Sequence, residues 1–212
     1  MNPRRLLLLL AVFAIPLAAG PARAATPVDL HSLTWHVHVD LTDQGAGSQP
    51  LSYYEDLIAE ATATATALVK GDDGPFEGPC CAEFSTVSVS LFGTSGDGLD
   101  VPSSAADFAA LDAVAGFAGS HVFFVDSLGW CGAPTTTAIG CGDQPGCSGD
   151  PNDDPFLVSV VTLEAHEVYD VLGNTLAHER GHNACLGHVA ANGCQLMQSN
   201  TCLLYTSPSP RD

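Results

Sequence analysis

Three histidines and one glutamate lie within eleven consecutive residues of this chain, from His178 to His188. On a helix, His178 and His182 stand one turn apart on the same face, so both imidazoles can reach one metal ion. Glu179 follows the first histidine and can lie beside the metal without binding it, which is the position of a general base acting on metal-bound water. Gly187 would let the chain turn back and bring His188 to the same ion. Three imidazoles leave the fourth position of a tetrahedral site open, as in catalytic zinc sites.

This spacing resembles the elongated motif H-E-x-x-H-x-x-G-x-x-H of the metzincin zinc peptidases, in which a Met-turn follows. Met197 stands in the corresponding place here. The resemblance implies that the three histidines bind Zn²⁺, that Glu179 is the general base, and that Met197 forms an apolar floor under the metal. It also implies that the edge strand before Phe156 holds the substrate as an added strand.

One position departs from the family pattern, because Cys185 stands where the motif has glycine. That glycine usually takes a left-handed conformation at the helix end, which a residue with a Cβ adopts at a cost of about 1 kcal/mol. Gly187 would take over part of this role. Three interpretations of Cys185 stay open: a disulfide with Cys194 that pins the loop carrying His188, a packed free thiol, or an inhibitory fourth metal ligand.

The elements that must position these residues predict an α+β fold. Alternating or apolar segments predict strands at 33–41, 84–92, 121–128 and 156–163, with a short edge strand near 135–139. Helices are expected at 53–70, at 104–117 with Ser103 or Ser104 as the cap, and from a start between Glu167 and Asn174 to an end near Leu186. This order matches the first half of a metzincin domain. The resemblance therefore implies a twisted, mostly parallel sheet with a backing helix and an active-site helix.

The two ends of the chain are interpreted as segments outside this fold. Residues 1–24 are typical of a secretory signal peptide, because two arginines precede a short apolar core and a small-residue cleavage site. We therefore expect a protein secreted to the extracellular space or the periplasm. Residues 202–212 resemble the translation of a sequencing adapter, so we expect an artefactual tail. One metzincin-like catalytic domain, incomplete at its carboxyl end, would occupy residues 25–201.

Residues 25–201 are strongly acidic. Lys70 and Arg180 are the two cationic side chains against 23 acidic ones, which gives a net charge of −21 with histidine neutral. Such a charge disfavours binding to nucleic acid and to anionic membranes. The expected partners are protein or peptide substrates, and we expect a monomer with no membrane contact after signal cleavage.

Seven cysteines precede residue 202, and in a secreted chain they predict disulfides. Three of these cysteines bracket a loop rich in glycine and proline, where a bridge is expected: Cys131, Cys141 and Cys147. A cysteine zinc knuckle is the rival interpretation, but the sequence contains no C-x-x-C pair.

Several other histidines have alternative interpretations. His36, His38 and Asp40 alternate along a predicted strand and therefore share one face. That face either forms a second metal site or meets solvent, and the solvent-exposed interpretation is favoured. His121 and His166 have no predicted partner, so each is interpreted as an ordinary surface or strand-end residue.

An acidic loop makes calcium a second candidate cofactor. Asp150, Asn152, Asp153 and Asp154 crowd one segment, and oxygen-rich loops of this kind bind Ca²⁺. The spacing is not that of an EF-hand, because the sixth position lacks glycine and the twelfth lacks glutamate. A solvated loop is the favoured alternative.

The predicted activity is that of a zinc metalloendopeptidase. Zinc on three imidazoles lowers the pKa of its bound water to about 7, and Glu179 would accept the proton and return it to the leaving amine. Two alternatives stay open: a secreted module that binds metal without catalysis, and a zinc hydrolase acting on peptidoglycan peptides. The intact Glu179 argues against the first, while the motif does not separate the second from a protease.

Overall fold

The computed structural model describes residues 29–43, 48–70, 82–116, 119–142, 157–183 and 188. These residues form five strands and five helices. In chain order the elements are β1 (Asp29–His38), α1 (Val39–Asp43), α2 (Leu51–Lys70), β2 (Ala82–Phe92), α3 (Ala105–Ala115), β3 (Ser120–Val125), β4 (Gly140–Gly142), β5 (Leu157–Thr162), α4 (Leu163–Glu167) and α5 (Leu172–Asn183).

The five strands form one sheet in the order β2-β1-β3-β5-β4. The pairs β1–β2, β1–β3 and β3–β5 are parallel, whereas β4 runs antiparallel to β5 at the edge. The predicted α+β fold with a mostly parallel sheet is therefore confirmed. Parallel strands bury both faces under helices, and this sheet follows that rule.

One face of the sheet packs against α2 and α5. Side chains alternate along a strand, so β1 directs Leu33, Trp35 and Val37 toward this face, and all three are fully buried. Tyr54 and Ile58 of α2 belong to the same cluster of buried residues. Leu172, Leu176 and Ala177 belong to it as well, which holds α5 against the sheet.

The opposite face packs against α3 and the segment that follows β3. Its buried cluster includes Leu111 of α3, Phe123 of β3 and Leu128. The N-cap of α3 is Ser104, whose hydroxyl accepts a hydrogen bond from the backbone N–H of Asp107 at 3.3 Å. This arrangement confirms one of the two predicted caps and satisfies an N–H group that the first turn leaves without a helical partner.

The first strand begins and ends earlier in the chain than predicted, at Asp29 and His38. It was expected to continue to Leu41, but β1 ends at His38 and the chain turns into the short helix α1. The turn buries Leu41 in the main core, where its carbonyl accepts a hydrogen bond from the Tyr54 hydroxyl at 3.0 Å. Burial of Leu41 against α2, which strand alternation could not indicate, explains the difference.

The edge strand and the last helices also differ from the prediction. The edge strand lies at Gly140–Gly142 rather than near 135–139. The short helix α4, capped by the Thr162 hydroxyl, was not predicted. Asp170 then adopts a left-handed conformation with φ of 51°, which turns the chain from α4 into α5. Aspartate tolerates this conformation better than most residues, because its short polar side chain can bond locally.

A disulfide joins Cys131 to Cys141. It confirms the bridge expected within the Gly/Pro-rich loop and ties that loop to the edge strand β4. Within the described part of the chain, no helix has the length and apolar character needed to cross a bilayer. The predicted signal peptide and the predicted tail both lie outside the described residues.

Candidate metal centre

Helix α5 positions two of the three predicted metal ligands. Ten of its twelve residues are buried, although several of them are polar or charged. Leu176 and Ala177 fix its rotation by packing in the core. His178 and His182, one turn apart, then project from the same side of the helix, with ring centroids 4.7 Å apart.

The three predicted histidine ligands converge on one point. The Nε2 atoms of His178 and His182 are 3.1 Å apart, and His188 Nε2 lies 3.2 Å from the first and 3.1 Å from the second. In a tetrahedral site with Zn–N bonds of ~2.0–2.1 Å, two ligand nitrogens are roughly 3.3–3.4 Å apart. The nitrogen triangle therefore has the size that one small metal ion requires. Zinc ligation itself stays a prediction.

Exposure differs between the three imidazoles. His182 is buried at 8% exposure, His178 is half-buried and His188 is exposed. The nitrogen triangle therefore lies where the buried helix meets the surface. At such a position a metal ion would have protein ligands on one side and solvent on the other, and a catalytic site needs both.

Glu179 is the neighbouring acidic group and is 6% exposed. Burial raises the pKa of its carboxyl to about 8, and a hydrogen bond with the Gly142 backbone opposes this shift. A carboxyl whose pKa is near neutrality is suited to accepting and returning a proton. The predicted general base is thus a buried carboxyl with a raised affinity for a proton, and its catalytic role stays a prediction.

The edge strand β4 lies directly against this part of α5. Gly140 is close to the side chains of Thr175 and Glu179, and Gly142 is close to the backbone of Glu179 and to His182. Cys141, between the two glycines, is buried in the cluster on the opposite face of the sheet. The edge of the sheet and the helix with the motif therefore form one packed unit.

Sequence reasoning missed a polar network that anchors the end of α5. The Asn183 side-chain oxygen accepts hydrogen bonds from Ser159 Oγ at 2.6 Å and from Arg180 Nη1 at 2.7 Å. Its amide nitrogen donates to the Val158 carbonyl at 3.1 Å, and Arg180 Nη2 donates to Ser120 Oγ at 3.1 Å. The signal was Arg180 itself, a rare cation in an acidic chain placed between two predicted ligands.

The strand face of His36 and His38 does not meet solvent as expected. His36 is 8% exposed and His38 is fully buried. His36 Nε2 lies 3.0 Å from Nδ1 of His121. His121 is the second residue of β3 and is 8% exposed, so it lies at a strand end, as one interpretation expected, and the surface interpretation was wrong. Burial, together with the His121 charge, lowers the pKa of His36 to about 4. The second sheet face therefore buries the pair of imidazoles of His36 and His121.

The predicted second group of ligands is rearranged. His38 lies close to Asp40 and Asp100, with potential ligand atoms within 4.8 Å of one another, while His36 is elsewhere. Both His38 ring nitrogens are engaged: Nδ1 accepts from the Asp40 backbone N–H at 3.2 Å, and Nε2 donates to Asp97 Oδ1 at 3.0 Å. These bonds hold the end of β1 to the turn after β2. His166 has a partner too, with its Nε2 3.3 Å from the Tyr53 hydroxyl.

Several predicted features fall outside the described residues. They are the Met-turn residue Met197, the helix-end residues Cys185 and Gly187, the possible bridge partner Cys194, and the acidic loop from Asp150 to Asp154. The interpretations of Cys185 and of the calcium loop stay predictions.

No protein-family model and no curated protein matches this sequence. Among solved structures, the chain is similar to metalloproteinase-II from Bacteroides fragilis, with a TM-score of 0.49 and 16% identity over 86% of this chain and 49% of that one. A structure described as a chaperone–substrate complex is similar with a TM-score of 0.46 and 12% identity, over 85% of this chain and 29% of that one. The chain thus spans about half the length of the first protein and less than a third of the second.

Proposed function

We propose that this chain is a zinc-dependent endopeptidase. The observation that carries the proposal is the triangle of Nε2 atoms from His178, His182 and His188, with sides of 3.1–3.2 Å. The buried carboxyl of Glu179 belongs to the residue that follows the first of these histidines on α5. Imidazole nitrogens in a tetrahedral arrangement favour zinc, and three protein ligands leave a position for water or substrate.

Each side chain would have a defined role. The three imidazoles would hold the ion, and Zn²⁺ when bound would supply an acidified water and polarise the substrate carbonyl. Glu179 would accept the proton as the peptide carbonyl is attacked and return it to the departing amine. The burial of Glu179 supports this role, because a buried carboxylate has a higher affinity for a proton than a carboxylate in solvent.

The sheet edge suggests how a peptide would bind. Strand β4 is the last strand of the sheet and lies against the helix that carries the ligands. An extended peptide could pair with the outer side of β4 as an added strand, which would bring its backbone to the triangle of nitrogens. This binding mode favours polypeptide substrates over small molecules.

A secreted location belongs to the same proposal. The disulfide between Cys131 and Cys141 is compatible with an oxidising compartment. Residues 1–24 would be the signal that directs export. We propose an extracellular or periplasmic monomer that acts on protein or peptide substrates.

The test begins with metal content and hydrolysis of the secreted protein. Elemental analysis should find one zinc per chain, and the protein should cleave casein and members of a peptide library. A chelator should abolish cleavage, and added zinc should restore it. A metal-binding module without catalysis would retain zinc and cleave nothing, whereas a hydrolase of peptidoglycan would cleave muropeptides and leave casein intact.

The decisive variant is Glu179→Gln, with Glu167→Gln as the matched control. Glu167 lies exposed at the end of α4, outside the triangle. Glu179→Gln should retain zinc and lose at least 100-fold in kcat, because a general base typically contributes 10²–10⁴-fold. Equal casein cleavage by Glu179→Gln and the parent would exclude the proposed role of Glu179.

A further inference from the structure

The two glycines of the edge strand are needed because there is no room for a side chain between β4 and α5, and not because of their backbone conformation. Gly140 and Gly142 lie in the strand β4, and neither has the positive φ that would make glycine necessary. Both project toward α5, because they pair with Val161 and Ser159 of β5, whose neighbours Val160 and Val158 point to the other face. A side chain at either position would therefore enter the contact between strand and helix.

The contact at Gly140 involves the proposed general base directly. A Cβ built on Gly140 would lie 2.5 Å from Glu179 Oε1, 2.9 Å from Glu179 Cγ and 2.5 Å from Thr175 Cγ2. Carbon and oxygen atoms that are not bonded stay more than 3 Å apart in packed proteins, so one side must move. If Glu179 moves, its side chain leaves its contact with β4.

The contact at Gly142 involves the backbone of the same turn of α5. A Cβ there would lie 2.5 Å from the Glu179 carbonyl oxygen and 3.0 Å from His182 Cβ. The Gly142 backbone also hydrogen-bonds the Glu179 side chain. Since the glutamate is 6% exposed, this hydrogen bond can orient its carboxylate in place of water.

We propose that Gly140 is a positioning residue for Glu179, which deepens the proposed function and rests on it. The missing side chain at position 140 lets the carboxylate lie against β4 and receive the Gly142 N–H. The disulfide between Cys141 and Cys131 ties this strand to the loop that precedes it. The strand thus sets where the proton acceptor stands relative to the three imidazoles.

The chain offers a matched control in Gly173. This glycine lies on the same helix and also lacks a positive φ. A Cβ on Gly173 would lie 2.5 Å from Thr64 Cβ, so Gly173→Ala creates an equally close contact. The collision is with α2, and it does not involve Glu179 or β4.

The experiment compares Gly140→Ala and Gly173→Ala with the parent, using a library peptide that the parent cleaves. Gly140→Ala should lose about 100-fold in kcat with KM and zinc content changed less than threefold, because a displacement of about 1 Å in a reacting group can cost 10²-fold. Gly173→Ala should lower the urea midpoint but leave kcat within threefold. An equal loss of kcat in both variants, or no loss in Gly140→Ala, would overturn the proposal.

A second readout does not depend on hydrolysis. In the metal-free protein, the amide of Gly142 should be protected from hydrogen exchange, and Gly140→Ala should reduce that protection at least tenfold while Gly173→Ala leaves it unchanged. If the parent cleaves no peptide, the proposed function fails, and this measurement still decides whether Gly140 positions Glu179. Unchanged Gly142 protection in Gly140→Ala would contradict the proposal.

A double variant, in which one of the two collisions is removed, tests the proposal if Gly140→Ala does not fold. Thr175→Ser removes the Cγ2 methyl that the added Cβ would meet, which leaves the contact with Glu179 as the remaining collision at 2.5 Å. The double variant Gly140→Ala/Thr175→Ser should fold and still lose kcat and Gly142 protection, whereas Thr175→Ser alone should lose neither. A double variant with parental kcat and protection would refute the positioning role.

Discussion

The guanidinium of Arg180 donates a hydrogen bond of 2.7 Å to the side-chain oxygen of Asn183, one turn along α5. Both side chains are buried, at 4% and 5% exposure. The same asparagine oxygen accepts from Ser159 of β5. The helix that carries the metal motif is therefore tied to the sheet by polar bonds as well as by apolar packing.

The first prediction concerns the hydrogen bonds that Asn183 accepts. Asn183→Ala removes an acceptor of a buried cation, so we expect a loss of about 2–3 kcal/mol in the free energy of unfolding. Asn174→Ala is the matched control, because Asn174 is half-buried on the same helix, and it should cost under about 1 kcal/mol. Urea unfolding measures both. Comparable losses in the two variants would contradict a special role for Asn183.

The second prediction concerns metal removal. A ligand that binds the folded state alone stabilises it by about 2.7 kcal/mol at a free concentration of 100 times Kd. Adding zinc to chelator-treated protein should therefore raise its thermal midpoint, and His182→Ala should lose most of that rise. His166→Ala, a histidine outside the triangle, should retain it. The same loss in both variants would show that zinc acts elsewhere.

The third prediction concerns pH and His36. Burial, aided by His121, lowers the pKa of His36 to about 4 from an ordinary value of 6.5. As the pH falls from 6.5 to 4, the unfolded chain gains a proton at His36 that the folded chain does not take up, so His36 by itself lowers stability by roughly 3 kcal/mol over this window.

His36→Gln cannot gain that proton, so its unfolding free energy should fall less between pH 6.5 and pH 4. Urea titrations at both pH values check this, and a fall as steep as the parent's would exclude His36 as the cause. Other groups titrate as well, but they are common to the parent and the variant. Burial raises the pKa of Glu179 to about 8, so its protonation stabilises the folded chain as the pH falls, whereas backbone hydrogen bonds lower the pKa of Asp40 and Asp107 below 3.8, so their contribution is lost mainly at lower pH. The difference between His36→Gln and the parent therefore isolates His36.

The fourth prediction concerns the disulfide. Closing a loop of this size, with a sequence separation of 10, stabilises a protein by about 2–3 kcal/mol when the effect is entropic. The double variant Cys131→Ser/Cys141→Ala avoids a free thiol and should lose that amount in urea unfolding. A loss below about 0.5 kcal/mol would mean that packing alone holds β4 in place.

The sequence predicted that the histidines of the motif lie close together, because the spacing that indicates it is local. One helical turn separates His178 from His182, and this spacing alone places both imidazoles on one side. Strand alternation likewise placed Trp35 and Val37 on one face, opposite His36 and His38, although Val39, expected on the same face, begins α1 instead. These features depend on neighbours within a few residues, which a single sequence contains.

Features that depend on distant contacts were missed. His36 and His38 looked solvent-exposed because the alternation shows only that they share a face, and whether that face is covered depends on Phe123 and on residues near α3. The edge strand was misplaced because Gly140 and Gly142 have no strand-like side chains. Their position follows from pairing with β5 and from the close contact with α5, neither of which is visible in local patterns.

Helix α5 also has a consequence for any attempt to transplant the motif. Ten of its twelve residues are buried, and they include Glu179, Arg180 and Asn183, so the surrounding sheet supplies the environment that this polar segment needs. Isolated helices of this length are marginal in water even with favourable sequences. A synthetic peptide spanning 172–188 would therefore be a disordered chelator, and grafting the motif into another scaffold would require the neighbouring strand edge to travel with it.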